Sequence, residues 1–154
     1  MSTPVSPSGL PGLPVTFRPT RTRVVLMGLG TALLVVLTAV SFLLDTATAG
    51  DRASFIGTGL LVFAFLALLS RPKVVAAQDG VTVVNLTTKR RLEWAQIVRV
   101  TLRPGDAWVH LDLSDGTTLP AMGIQPGIAK DRAVADARAL RALVEEHGTG
   151  SSAT

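Results

Sequence analysis

Two stretches of this sequence carry no charge at all: residues 24–44, which number 21, and residues 53–69, which number 17. As a helix the first spans about 31 Å, enough for a hydrocarbon core of roughly 30 Å, and the second is at the short end of what can cross. Between them, Asp45 to Arg52 is a short polar turn, so the pair reads as an antiparallel transmembrane hairpin with an extracytoplasmic loop at 45–52. Arg18, Arg21 and Arg23 precede the first run, and Arg71 and Lys73 follow the second, whereas the link holds two Asp and one Arg. The excess of Lys and Arg on cytoplasmic flanks then puts both chain ends in the cytoplasm, in a multi-pass protein of the plasma membrane. Ala47-Thr48-Ala49 resembles a signal-peptidase site, but the preceding apolar run is longer than the 7–15 residues typical of a signal peptide.

Neither run contains the ionisable groups that ion paths and proton relays need, which argues against a pump or transporter. Gly28, Gly30, Gly57 and Gly59 are read chiefly as the ordinary glycine content of membrane helices, with some allowance for packing between the spans. The net charge is +4, but from Arg71 onward eleven basic residues face nine acidic ones. The high pI is therefore assigned to membrane topology, not to nucleic acid. The absence of cysteine excludes disulfides and thiolate chemistry, and two histidines are too few for a histidine metal site. No metal and no cofactor is expected.

Outside the hairpin, Pro4, Pro7, Pro11 and Pro14 punctuate a start rich in Ser, Thr and Gly, and residues 1–23 are expected to be a disordered tail. From Pro72 the apolar period becomes two. Val74–Ala77, Val81–Leu86, Lys89–Trp94, Ile97–Arg103, Ala107–Leu113 and Thr117–Met122 read as about six strands, with hairpin signals at Asp79-Gly80 and Asp115-Gly116. Within the fourth, Val98, Val100 and Leu102 are assigned to one face and Arg99, Thr101 and Arg103 to the other. Gln125-Pro126-Gly127 opens a helix to about His147, with Ala133, Ala137, Leu140 and Val144 as its apolar stripe, Gly148 as its stop and 148–154 as a disordered tail. The fold class is α+β: a two-helix hairpin, then, over residues 72–147, an antiparallel sheet or partly open barrel capped by a C-terminal helix.

This order resembles the pleckstrin-homology (PH) fold, and more closely the bacterial PH domain-containing membrane proteins. That small actinobacterial type, with two spans and one PH-like domain, is related to the low molecular weight protein antigen. The resemblance rests on Phe17-Arg18-Pro19, Arg71-Pro72-Lys73-Val74-Val75, Asp79-Gly80-Val81-Thr82-Val83, the run Arg91 to Ile97 with Trp94 three residues before Ile97, Asp115-Gly116-Thr117 and the final helix. It implies fold and topology but little about function. Lipid-binding PH domains carry a Lys ahead of a Lys/Arg-x-Arg motif near the first hairpin. Here Lys89-Arg90-Arg91 has the second half only, so phosphoinositide binding is not carried over.

Lys89, Arg90 and Arg91 remain the candidate contact with anionic head groups, against the alternative of a solvated turn. Trp94 shares a face with Leu92 and is expected in the core, whereas Trp108 alternates away from Val109 and Leu111 and is a candidate partner contact. His110 and Asp112 are read as a surface pair, since no nucleophile or further ligand accompanies them. With no phosphate loop, HExxH or G-x-S-x-G, no catalytic residue is assigned. The chain is expected to be a membrane-anchored binding or scaffolding module for another membrane-associated protein, without enzymatic activity. The alternative is an assembly subunit of a larger membrane complex that uses the hairpin for contacts.

Overall fold

A computed structural model of the chain describes residues 9–149. It divides into two compact units: residues 20–71, and the segment up to Pro19 together with everything from Pro72 onward.

The first unit is a helical hairpin of α1 (Thr20–Leu43) and α2 (Ala49–Leu69). Both helices are long and apolar enough to cross a membrane. Each starts earlier than the uncharged run that marks it. The link narrows because Thr48 caps α2 in a capping box: its hydroxyl accepts from the Asp51 N–H (3.2 Å), and the Asp51 carboxylate accepts from the Thr48 N–H (2.9 Å). Asp51 and Arg52 thereby join the first turn of α2. The glycines differ in their use. Gly30 lies against Phe63 and Leu66, and Gly59 lies so close to Leu34 that a Cβ there would be 2.8 Å from a Leu34 methyl, whereas Gly28 and Gly57 meet nothing. One glycine in each helix is therefore a close-approach site.

The second unit is a seven-stranded α+β domain. Strands β1 (Val15–Phe17), β2 (Lys73–Ala77), β3 (Gly80–Val84) and β4 (Lys89–Leu92) form one antiparallel sheet in that order. Strands β5 (Ile97–Thr101), β6 (Val109–Leu113) and β7 (Thr118–Ala121) form the other, and α3 (Lys130–Thr149) follows. The two sheets do not close into a barrel through a shared ladder. The Asp79-Gly80 and Asp115-Gly116 signals sit at the β2–β3 and β6–β7 turns.

Strand β1 corrects the expectation of disorder through residue 23. Val15, Thr16 and Phe17 pair with Ala76, Val75 and Val74; Phe17 is buried, and Leu10, Leu13 and Val15 pack on the core. A proline-rich segment cannot make a core alone, but here the edge of β2 supplies its backbone partners and the domain supplies the apolar surroundings. Residues 1–8 and the tail beyond Thr149 lie outside the described residues.

Two tertiary devices bring the sheets together. Asn85, buried after β3, donates to the Pro120 carbonyl (2.8 Å) and accepts from the Met122 N–H (3.1 Å), linking the end of the first sheet to β7. Gly123 lies directly on the backbone of Lys73 and Val74, where a Cβ would come within 2.5–2.7 Å of main-chain atoms. Nothing larger than glycine fits there.

In β5 the anticipated face assignment fails at one residue. Ile97 and Val100 are buried but Val98 is 66% exposed, because the register with β6 skips it between Ile97 and Arg99. A β-bulge puts two residues opposite one and reverses the parity that alternation assumes. On α3 the stripe Ala133, Ala137, Leu140 and Val144 is buried together with Leu143. Gly148 lies inside the last described turn of α3, not beyond it, a boundary shift of the size usual at fraying helix ends.

Candidate interaction surfaces

Trp94 is a structural residue. It opens a single 3-10 turn (Trp94–Gln96) held by Glu93 and Gln96, and its Nε1–H points at the Ala77 and Gln78 carbonyls (3.1 and 3.2 Å). Its ring stacks on His147 with centroids 4.7 Å apart, and His147 is itself held at the Leu143 carbonyl (2.9 Å). The indole thus ties the β2–β3 turn to α3, satisfying its one donor inside the core.

Lys89, Arg90 and Arg91 occupy β4, an end strand, opposite Val84, Val83 and Thr82. All three are exposed. Arg91 pairs with Asp79 of the β2–β3 turn, and Arg90 lies 3.7 Å from Asp115 of the β6–β7 turn. The Asp115 carboxyl is held below the usual carboxylate range, first by hydrogen bonds from the Thr117 hydroxyl and N–H and, less, by Arg90. Alternation sends Arg90 to the opposite side of β4 from its two neighbours, so the compact cluster in sequence is split in space. Exposed pairs of this kind contribute little to stability. Two of the three cations therefore already face a carboxylate.

Trp108 lies just before β6 rather than within it; it is half-buried and not part of the core cluster. His110 and Asp112 do not pair with each other. The His110 imidazole is 3.7 Å from Asp106, whereas the Asp112 carboxylate accepts from the Thr118 hydroxyl (3.0 Å) and, more weakly, from Thr101 (3.4 Å). These residues and Arg103 line a shallow cleft of about 220 Å³. Among the described residues no group of three or more His, Asp or Glu is arranged to hold a metal ion.

A second basic locus was not singled out in the sequence. Arg99 and Arg103 from β5 and its following loop, and Arg141 from α3, line a groove of about 480 Å³. Arg99 and Arg103 are four residues apart in sequence, but nothing local to them announces Arg141, about forty residues away.

Comparison with known proteins agrees with this architecture. The chain is 31% identical over 97 residues to the uncharacterized protein Rv1417 of Mycobacterium tuberculosis and, equally, to the uncharacterized protein Mb1452 of Mycobacterium bovis. The match takes in 63% of this chain and spans 62% of the length of each relative. No solved structure matches it. Residues 71–143, which run from the end of the hairpin through all six later strands and most of α3, match the bacterial PH domain family.

Proposed function

We propose that the chain is a two-span integral membrane protein whose bacterial PH domain is a non-catalytic binding or scaffolding module at the cytoplasmic face of the plasma membrane. One observation carries the reading. The apolar hairpin is inserted between β1 and β2, and those two strands pair with each other. Such pairing requires that both ends of the hairpin return to one side of a bilayer, which supports an even number of crossings. The basic flanks, Arg18, Arg21 and Arg23 on one end and Arg71 and Lys73 on the other, favour the cytoplasmic side.

The insertion also bears on lipid recognition. The first hairpin, where lipid-binding PH domains hold their basic motif, is replaced here by the apolar helices. The domain is anchored covalently at two points and needs no head group to recruit it. Lys89, Arg90 and Arg91, with two charges already paired, then add at most a weak, salt-sensitive attraction to anionic lipid. The surface of the domain is left for a protein partner.

The lack of cysteine makes the topology directly testable. In intact cells a membrane-impermeant maleimide should label Thr46→Cys, in the link, and should leave Ser114→Cys, in the β6–β7 turn, unlabelled until the membrane is breached. Labelling of Ser114→Cys from outside would overturn the orientation. Release of the protein by alkaline carbonate would overturn the membrane span.

A further inference from the structure

β5 is an end strand of its sheet, and the groove described above runs between it and α3. Sheet edges present unpaired backbone groups that must be covered, charged or used. On this edge the Val100 carbonyl accepts from Arg141, at 2.8 Å from Nη2 and 3.3 Å from Nε. A side chain thus stands where a neighbouring strand would put its N–H. Val98, turned out by the bulge, adds an exposed apolar contact at the same edge.

The charge there is unbalanced, unlike that on β4. Arg99 and Arg103 are exposed, and neither side chain has an ion-pair partner among the described residues. Two nearby carboxylates are otherwise engaged. Asp112, beside Arg99, accepts the Thr118 and Thr101 hydroxyls; Asp106 accepts the Arg103 backbone N–H (2.8 Å) and faces His110. Three guanidinium groups and one carboxylate line the groove.

We infer that this groove binds an acidic, extended segment of a partner protein, which adds to the β5 edge as a strand. The inference rests on the reading of the domain as a binding module and names its surface and the chemistry of its partner. An incoming carboxylate draws Arg141 off the Val100 carbonyl, and a backbone N–H of the segment takes that acceptor. The exchange leaves no buried group unsatisfied and replaces a guanidinium–carbonyl hydrogen bond with a guanidinium–carboxylate ion pair. Alternate residues of the added strand project to one side, about 6.6 Å apart, so acidic residues at every second position can reach Arg99 and Arg103. A second copy of the chain is a poor occupant, because two β5 edges would set the same arginines against each other.

The test uses the full chain, labelled with ¹⁵N, in micelles of an uncharged detergent. Its probe is the blocked peptide acetyl-Glu-Val-Glu-Val-Glu-Val-amide, with the Lys-for-Glu peptide as control. Amide shifts should concentrate on residues 98–101 and 141–144, and the Lys peptide should cause none. The double variant Arg99→Ala/Arg103→Ala, altering two exposed side chains, should weaken binding by about tenfold or more. Shifts centred on residues 89–91, an equal response to the Lys peptide, indifference to the double variant or no response at all would each overturn the inference. So would a stronger response of the same residues to anionic vesicles, which would make the groove a lipid surface. Maleimide labelling reads the anchoring separately, so this proposal can fail while the membrane module stands.

Discussion

The hairpin and the β domain are both rich in apolar residues, yet they dispose of them in opposite ways. In the most apolar windows of α1 and α2 only 11% and 6% of residues are buried; Leu61 is 73% exposed and Phe65 60%. In the domain Val74, Val81, Val109, Leu111 and Leu140 are wholly enclosed. Contacts inside the chain cover the second set, whereas the first is left with the exposed apolar surface that the proposed membrane span would place in lipid. Truncations should therefore be costly in one region and almost silent in the other. Both tryptophans lie in the domain, so their fluorescence during denaturation reports that region alone.

The largest effect is expected at Trp94, which joins the β2–β3 turn, the 3-10 turn and α3. Trp94→Ala should lower the stability of the domain by about 3–5 kcal/mol, a large part of what a small domain has. Trp108→Ala, outside the core cluster, should cost about 1 kcal/mol or less. Equal urea midpoints for the two variants would mean that the internal contacts of Trp94 do not carry the domain.

Next comes a matched pair, one phenylalanine from each region. Phe17→Ala should destabilise the domain by about 3 kcal/mol, because it empties a core position and loosens β1. Phe65→Ala should leave the denaturation midpoint of the domain where it was. A silent Phe17→Ala would reduce β1 to an appendage and remove the structural link between the two ends of the hairpin. It follows that a fragment starting at Pro72 is a poorer soluble domain than a chain in which a short turn joins Pro19 to Pro72.

The smallest effect is a matter of pH. Partial burial on α3 raises the Asp136 carboxyl above its usual value, with Arg132 opposing the shift in part. A carboxyl that holds its proton more tightly when folded favours the fold at low pH, and that contribution is lost as pH rises from the unfolded value through the folded one. Asp136→Asn should therefore raise the midpoint slightly at pH 7, with the gain shrinking towards zero below about pH 4, near the unfolded value. A gain independent of pH would assign it to helix propensity instead.

Much of the fold was legible because it is local. Charge-free runs long enough to span a bilayer, Asp-Gly at two hairpins and the stripe on α3 each declare themselves within a few residues. The burial of Trp94 was legible too, through its spacing from Leu92. The candidate sites were less so. Lys89-Arg90-Arg91 is conspicuous as a string, but charge density along a chain is not free charge in space, and Asp79 and Asp115 arrive from other turns. Arg99, Arg103 and Arg141 are scattered in the string and gather only when α3 lies along β5.

From its sequence alone this protein was determined to be an apolar hairpin joined to an antiparallel α+β domain, because helix and strand periods and the solubility of each segment depend on near neighbours. Tertiary structure alone decided that the segment before the hairpin is the first strand of the domain, that Val98 turns outward, and that Gly123 must have no side chain. It also decided which arginines are answered by carboxylates and which are not. All of these depend on pairing between distant segments. The pairing free energy of a strand such as Val15–Phe17 lies almost wholly in the partner edge it meets, and a window of sequence does not contain that edge.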